Sequence, residues 1–123
     1  MMDYVLVIDD DPSVLENLVA FLDDEGFNVL SANSGDKAFE LISEKSPQIA
    51  IVDMRLPGID GNELIIKAHE LLPSLQYLVH TGSSDYVLPE ELKNMGITED
   101  HIFKKPVSDM SVFVEAIQSK TGG

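Results

Sequence analysis

Five residues carry side chains suited to metal or phosphate chemistry, and each stands where an apolar run stops. Val5-Leu6-Val7-Ile8 ends at Asp9-Asp10-Asp11, Ile49-Ala50-Ile51-Val52 ends at Asp53, the run from Leu75 ends at Thr81-Gly82, and the run from His101 ends at Lys105-Pro106. Like charges about 4 Å apart repel by roughly 1 kcal/mol in water and about 4 kcal/mol at an effective dielectric of 20, so carboxylates gathered at one edge need an offsetting charge. A hard divalent cation such as Mg²⁺ supplies it, taking carboxylate oxygens and completing its shell with water or phosphate oxygens. Beside such an ion Asp53 is a candidate nucleophile toward a phosphoryl group, Thr81 a hydroxyl donor to a phosphoryl oxygen, and Lys105 a fixed positive charge. Each has a plainer reading alone: a helix cap and solvated acids, a turn former, a β-branched strand end, a surface lysine. Their joint placement is what points to phosphoryl chemistry.

Each of these ends has to be delivered by an element of structure. Tyr4–Ile8 is a continuous run rich in Val and Ile, as a strand buried on both faces requires. Asp11 then suits a helix N-cap with Pro12 in the first turn; Leu15, Leu18, Val19 and Leu22 share one face, and Gly26 stops the helix. The alternation repeats with a strand over Phe27–Ser31 and a helix opened by Ser34-Gly35, with Ala38, Phe39 and Ile42 inward, stopped before Pro47. After the Asp53 strand and its Pro/Gly loop come a helix bearing Leu64, Ile65, Ala68, Leu71 and Leu72, stopped by Pro73, and a strand over Leu75–Thr81. Pro89 fits the first turn of a helix and not its interior, which predicts a fourth helix over Pro89–Met95 after a looser Ser83–Leu88 segment, with a start near Tyr86 as the alternative. A strand over His101–Lys104 and a helix capped by Ser108 or Asp109, burying Met110, Phe113, Val114 and Ile117, complete the pattern.

Five strands alternating with five helices predict one α/β domain over residues 1–123, with a parallel sheet and helices on both faces. Ligands of such sheets bind outside the carboxyl ends of the strands, where the five chemistry-bearing residues fall. By strand alternation His80 faces away from Thr81, and Lys104 points away from Lys105 toward solvent. His69 and His101 are expected at the surface, and no histidine pair has metal-ligand spacing such as HExxH.

Composition narrows the partners. With 22 acidic against 8 basic residues the formal net charge is -14, which disfavours nucleic acid and anionic membrane surfaces and suits metal cations or basic protein partners. The absence of cysteine excludes disulfides, thiolate metal sites and thiol catalysis. Met1-Met2-Asp3 lacks the basic region of a signal peptide, and no apolar run reaches the length of a membrane span, so the expected location is cytoplasmic.

Taken in order, Val5-Leu6-Val7-Ile8-Asp9-Asp10-Asp11-Pro12, Asp53-Met54-Arg55-Leu56-Pro57-Gly58-Ile59-Asp60-Gly61, Thr81-Gly82 and Lys105-Pro106 resemble the response-regulator receiver domain of two-component signalling, along essentially the whole chain. The resemblance implies a (βα)5 flavodoxin-like domain with strand order 2-1-3-4-5. It implies that Asp53 accepts a phosphoryl group from a histidine kinase or a histidine phosphotransfer protein in a phosphorelay. Asp9 and Asp10 would hold Mg²⁺ together with Asp53 and the main-chain carbonyl of Arg55, Pro12 leaving Asp11 to the helix cap. Thr81 would move toward the phosphoryl group, Lys105 would pair with it, and the Lys105-Pro106 bond would be cis. Output is then implied through the face made by the fourth helix, fifth strand and fifth helix, toward a downstream protein or a fused output domain, and a dimer formed there on phosphorylation is compatible with it. Chemistry of its own would be limited to self-phosphorylation and self-dephosphorylation at Asp53. Two features depart from the family or modulate it. The position three before the lysine, often an aromatic that swings inward on activation, is Ile102, with Phe103 beside it facing away; and Arg55 and Ser83 occupy positions that in the family tune phosphoryl lifetime.

Two other functions compete. Asp9-Asp10-Asp11 contains the Asp-x-Asp spacing of haloacid-dehalogenase-type phosphatases, which would make Asp9 the nucleophile but leave the Asp53 loop unexplained in a chain short for that fold. A receiver fold that no longer cycles and serves only as a binding scaffold is the other, although every residue the site needs is present.

Overall fold

The computed structural model describes residues 4–56, 58–83 and 85–121. Pro57 of the Asp53 loop, Ser84 of the turn after the fourth strand, and the terminal residues Met1–Asp3 and Gly122-Gly123 lie outside the described residues. Five strands, β1 (Tyr4–Ile8), β2 (Asn28–Ala32), β3 (Ile49–Val52), β4 (Gln76–Thr81) and β5 (Ile102–Lys104), form a parallel sheet in the order β2-β1-β3-β4-β5. The helices α1 (Pro12–Asp24), α2 (Gly35–Lys45), α3 (Gly61–Leu71) and α4 (Glu90–Asn94) make the crossovers, α5 (Ser111–Thr121) follows β5, and a 3₁₀ turn at Glu99–His101 leads into β5.

Side chains alternate across a strand, so each strand feeds two cores. Leu6 and Ile8 of β1, Ala50 and Val52 of β3, and Tyr77 and Val79 of β4 pack with Ile42, Leu64, Ile65, Ala68 and Leu92 from α2, α3 and α4. Val5, Val7, Ile49, Ile51 and Leu78 pack on the other face with Leu18 and Leu22 of α1 and Phe113 and Ile117 of α5. Both faces are covered, which is why the strands read as unbroken apolar runs.

The starts of α1, α2 and α3 are set by side-chain caps. The Asp11 carboxylate accepts from the Ser13 and Val14 N–H groups, the Ser34 hydroxyl from Lys37 N–H, and Asp60 from Glu63 N–H at 2.8 Å; such caps contribute about 1 kcal/mol each. α4 has five residues, too few to be stable alone. Pro89 is its N-cap, and Leu92, wholly buried, ties it to the core. Truncating Leu92 to Ala would cost about 2–5 kcal/mol.

The element boundaries depart from the sequence expectation at a few points. β2 begins one residue later and includes Ala32, β5 lacks His101, and α5 starts at Ser111, with the Asp109 carboxylate accepting from Ser111 N–H at 3.0 Å. His101 leaves the strand because its Nδ1 accepts from Thr98 N–H at 3.0 Å and closes the 3₁₀ turn. His69 and His101 are half-buried, not surface residues.

Candidate functional site

Register brings the carboxylates together. Ile8 lies opposite Val52 across β1 and β3, and the ladder runs one step further, with Asp53 N–H donating to Ile8 carbonyl at 3.0 Å and Asp9 N–H donating to Ala32 carbonyl at 3.1 Å. Asp9 and Asp53 therefore leave adjacent strands at the same level, and Asp10 follows. One oxygen from each of Asp9, Asp10 and Asp53 falls within a group whose members all lie within 4.8 Å of one another. Asp9 and Asp53 are buried, at 2% and 4% exposure, while Asp10 faces solvent. Met54, next to Asp53, is itself buried, and its carbonyl accepts from Gly61 N–H at 3.1 Å at the entry into α3.

The β4–β5 side supplies the rest. Thr81 pairs with Lys104, and Lys105 N–H donates to Thr81 carbonyl at 2.8 Å, carrying the ladder past the strand end. Lys105 Nζ sits 2.7 Å from Asp9 Oδ2 and 3.6 Å from Asp53 Oδ2. Its ammonium thus offsets part of the repulsion between the two acids. The Lys105-Pro106 bond is cis. Thr81 is buried, and its Oγ1 accepts from Ser83 N–H at 3.1 Å, which leaves the hydroxyl proton free to be donated.

Backbone donors orient the acids. Asp11 N–H donates to Asp9 Oδ1 at 3.0 Å and Arg55 N–H to Asp53 Oδ1 at 3.2 Å. Asp11 is committed elsewhere: the Ser13 hydroxyl, with the Val14 and Ser13 N–H groups, holds its carboxyl below the usual range. Asp53 is pushed the other way, to about 6, chiefly by burial; Arg55 N–H opposes this, Asp9 and Asp10 add repulsion, and Lys105 works against them. Three hard carboxylate oxygens converging at the ends of two adjacent strands match the donor set of Mg²⁺, so the residues present fit the ion.

Gly61 is where the loop returns to the site. A Cβ there would lie 2.8 Å from both the Asp53 carbonyl oxygen and Met54 Cα, so only glycine permits this approach. Next to it, Asn62 Oδ1 accepts from the Tyr86 hydroxyl at 2.8 Å, tying the segment after β4 to the start of α3. This tie was not read from the sequence; the signal available was a lone aromatic in an otherwise loose segment. Ile102 packs into the core shared with Tyr86 and Leu88, while Phe103 stacks on Phe113 on the opposite face. His80 also lies on that opposite face, its ring edge-on to Phe113 at 5.1 Å. Burial holds it neutral, pushing its pKa down to about 4, with Lys105 adding to the effect and Asp9 opposing it.

Comparison with known proteins agrees with this geometry. The family model for the response regulator receiver domain matches residues 5–118. YesN of Bacillus subtilis, an uncharacterized transcriptional regulatory protein, is 30% identical over 111 residues, which cover 88% of this chain and 30% of that protein. The chain spans between 27% and 48% of the length of the first four curated relatives it matches. Among solved structures, a CheY-like response regulator receiver domain protein from Methanospirillum hungatei superposes with a TM-score of 0.85 at 29% identity, covering 99% of this chain and 95% of that one. A response regulator protein from Burkholderia pseudomallei, solved with a phosphorylated aspartic acid, calcium ion and citrate, superposes at 0.81 with 26% identity, covering 98% of this chain and 69% of that one.

Proposed function

This chain belongs to the response regulator receiver domain family, and from that premise we propose that residues 1–123 act as one receiver domain in which Asp53 takes a phosphoryl group from a phosphohistidine. The observation that carries this reading is the convergence of Asp9, Asp10 and Asp53 with Lys105 reaching two of the three. Transfer forms a bond between an Asp53 carboxylate oxygen and phosphorus as the P–N bond to the donor imidazole breaks, leaving an acyl phosphate on Asp53 and a neutralised imidazole on the donor. Lys105 is placed to pair with an oxygen of the transferred group, exchanging its contact with Asp9 for it. Thr81 has its hydroxyl proton to give to a second oxygen, and Ser83, bonded to Thr81 Oγ1, follows any movement of that side chain. Asp9, Asp10 and Asp53, with the main-chain carbonyl of Arg55, are the groups that would hold Mg²⁺. When bound, the ion supplies positive charge against the carboxylates and the phosphoryl oxygens.

The phosphorylated aspartic acid of the Burkholderia pseudomallei relative supports this assignment. The donor is a histidine kinase or histidine phosphotransfer protein, and a cytoplasmic location suits it. Output runs through the α4–β5–α5 face to a protein target or fused output domain, by shifting a two-state equilibrium whose outward form binds the partner, with a dimer as one form of that partner. Because relatives that this chain matches are longer than it is, the output belongs to whatever that face meets.

The test adds beryllofluoride with Mg²⁺, or acetyl phosphate with Mg²⁺, to ¹⁵N-labelled protein. Amide shifts at Thr81, Ser83 and Lys105 are expected in the wild type and not in Asp53→Asn. No shift in the wild type, or the same shift in Asp53→Asn, refutes the reading. Mapping the acyl phosphate to Asp9 instead of Asp53 would assign the chain to the aspartate-phosphatase chemistry.

A further inference from the structure

The loop that leaves Asp53 meets the start of α2. Gly35, the first residue of that helix, is buried, and a Cβ there would overlap Ile59 Cγ2 and stand 3.5 Å from Ile59 Cβ and 4.0 Å from the Ile59 carbonyl oxygen. The three nearest atoms all belong to Ile59, so both the side chain and the backbone of that residue lie against the helix start. An added methyl group at residue 35 has to displace them. Ile59 is half-buried, packs against the core that includes Ala38, Ile42 and Leu64, and lines a cleft of about 300 Å³ together with Phe39 and Leu64.

This contact joins the two sides of the acidic site. On one side, the Ala32 carbonyl accepts from Asp9 N–H at 3.1 Å and the Ser34 hydroxyl accepts from Lys37 N–H at 3.2 Å, so the residues flanking Gly35 are tied to Asp9 and to α2. On the other, the loop is closed at its ends by Arg55 N–H donating to Asp53 Oδ1 at 3.2 Å and by Gly61 N–H donating to the Met54 carbonyl at 3.1 Å. Arg55 is exposed, so its carbonyl takes its position from the rest of the loop. Among the described residues 55–60, Leu56 and Ile59 are the apolar anchors on the core, and Ile59 is the one wedged against a position that admits no side chain. Mg²⁺ demands near-ideal octahedral geometry at about 2.0–2.1 Å, which leaves a carbonyl ligand little freedom. Such precision comes from neighbours locked by packing.

We propose that Ile59, seated on Gly35, is a positioning residue for the cation site: it holds the loop that carries the Arg55 carbonyl in register with Asp9, Asp10 and Asp53. This rests on the reading of the Asp53 site given above. Ile59 touches no ligand itself and acts through the loop backbone.

The test titrates unphosphorylated full-length protein with Mg²⁺, following ¹⁵N amide shifts, in the wild type and in Ile59→Ala, Ile59→Val, Gly35→Ala and the Gly35→Ala/Ile59→Ala pair. Ile59→Ala and Gly35→Ala should each weaken Mg²⁺ binding about tenfold or more, the size seen when a partner that orients a metal ligand is removed. Ile59→Val keeps Cγ2 and should stay within about twofold of wild type. The double variant should bind more tightly than Gly35→Ala alone, because the added methyl group takes the space that Ile59 Cγ2 vacates. In EDTA, Ile59→Ala should speed amide exchange at Arg55, a readout that needs no metal. Urea melts verify that each variant is folded, and Ile42→Val, two turns further along α2, lowers stability while leaving Mg²⁺ affinity unchanged. Wild-type affinity in Ile59→Ala, losses that simply add in the double variant, or an equal loss in Ile42→Val overturns the proposal while wild-type Mg²⁺ binding stands. A wild type that binds no Mg²⁺, or binding unaltered by Asp10→Ala, overturns the reading of the Asp53 site and this proposal with it.

Discussion

The metal-free site should be a source of instability that Asp53→Asn relieves. In the fold the Asp53 carboxyl titrates at about 6, against 3.8 for a free aspartate, because it is buried and faces Asp9 and Asp10. A carboxyl whose pKa is raised on folding favours the folded state while protonated, and that advantage is lost as pH rises through the folded value. At pH 7.5 the ionised side chain therefore costs about 3 kcal/mol, falling to about 0.6 kcal/mol at pH 4, where the folded carboxyl is protonated and the unfolded one is only about half ionised. Asparagine keeps the shape and an oxygen for Arg55 N–H, and carries no charge. Urea denaturation in EDTA should show Asp53→Asn more stable than wild type by about 2–3 kcal/mol at pH 7.5, with the gap closing toward pH 4. Titrating groups that do not act on Asp53, His80 among them, are common to both proteins and cancel in the difference. Adding Mg²⁺ should reverse the order, because the wild type gains RT ln(1 + [Mg²⁺]/Kd) and the variant loses a ligand. Equal stability at pH 7.5, or a gap that does not shrink in acid, would show that the three carboxylates do not strain one another and would refute the electrostatic account of the site.

Three further outcomes are expected. Gly61→Ala should destabilise by several kcal/mol in denaturant melts and impair the beryllofluoride response, because the added Cβ meets the backbone of Asp53 and Met54, which cannot swing aside; a variant of wild-type stability would contradict this. Tyr86→Phe should cost about 1 kcal/mol and speed amide exchange in residues 85–88, through loss of the 2.8 Å bond to Asn62; burial, with Asp60 and Glu99, holds that phenol up at about 12, so it donates across the working pH range. His80→Leu should gain about 1 kcal/mol at pH 7, since His80 Nε2 is buried without a partner among the described residues. Its advantage should widen by about 2 kcal/mol at pH 5, because a histidine pKa of 6.5 unfolded and about 4 folded withdraws stability as pH falls through 6.5; a pH-independent difference would mean that His80 does not titrate this way.

What was legible in the sequence was what local chemistry determines. Val and Ile runs ending on Asp9, Asp53, Thr81 and Lys105 mark strands covered on both faces, and in a parallel sheet such ends share one edge, so the convergence of these residues followed from topology alone. The caps at Asp11 and Ser34 were legible for the same reason: an N-cap is satisfied within three residues of itself. What was not legible depends on residues distant in the chain. Strand alternation gave the face of His80 but not Phe113 as its neighbour, and nothing local ties Lys105 to Asp9 or Tyr86 to Asn62.

The Tyr86 tie bears on the departure at Ile102. With an aliphatic residue there, β5 presents no ring on the face shared with Tyr86 and Leu88, and Tyr86 packs against that same core. Tyr86 stands five residues past Thr81, and its hydroxyl is held by Asn62, one residue past the glycine that abuts the Asp53 carbonyl. The segment that follows Thr81 and the helix that follows the Asp53 loop are therefore joined by one hydrogen bond, between the Tyr86 hydroxyl and Asn62 Oδ1.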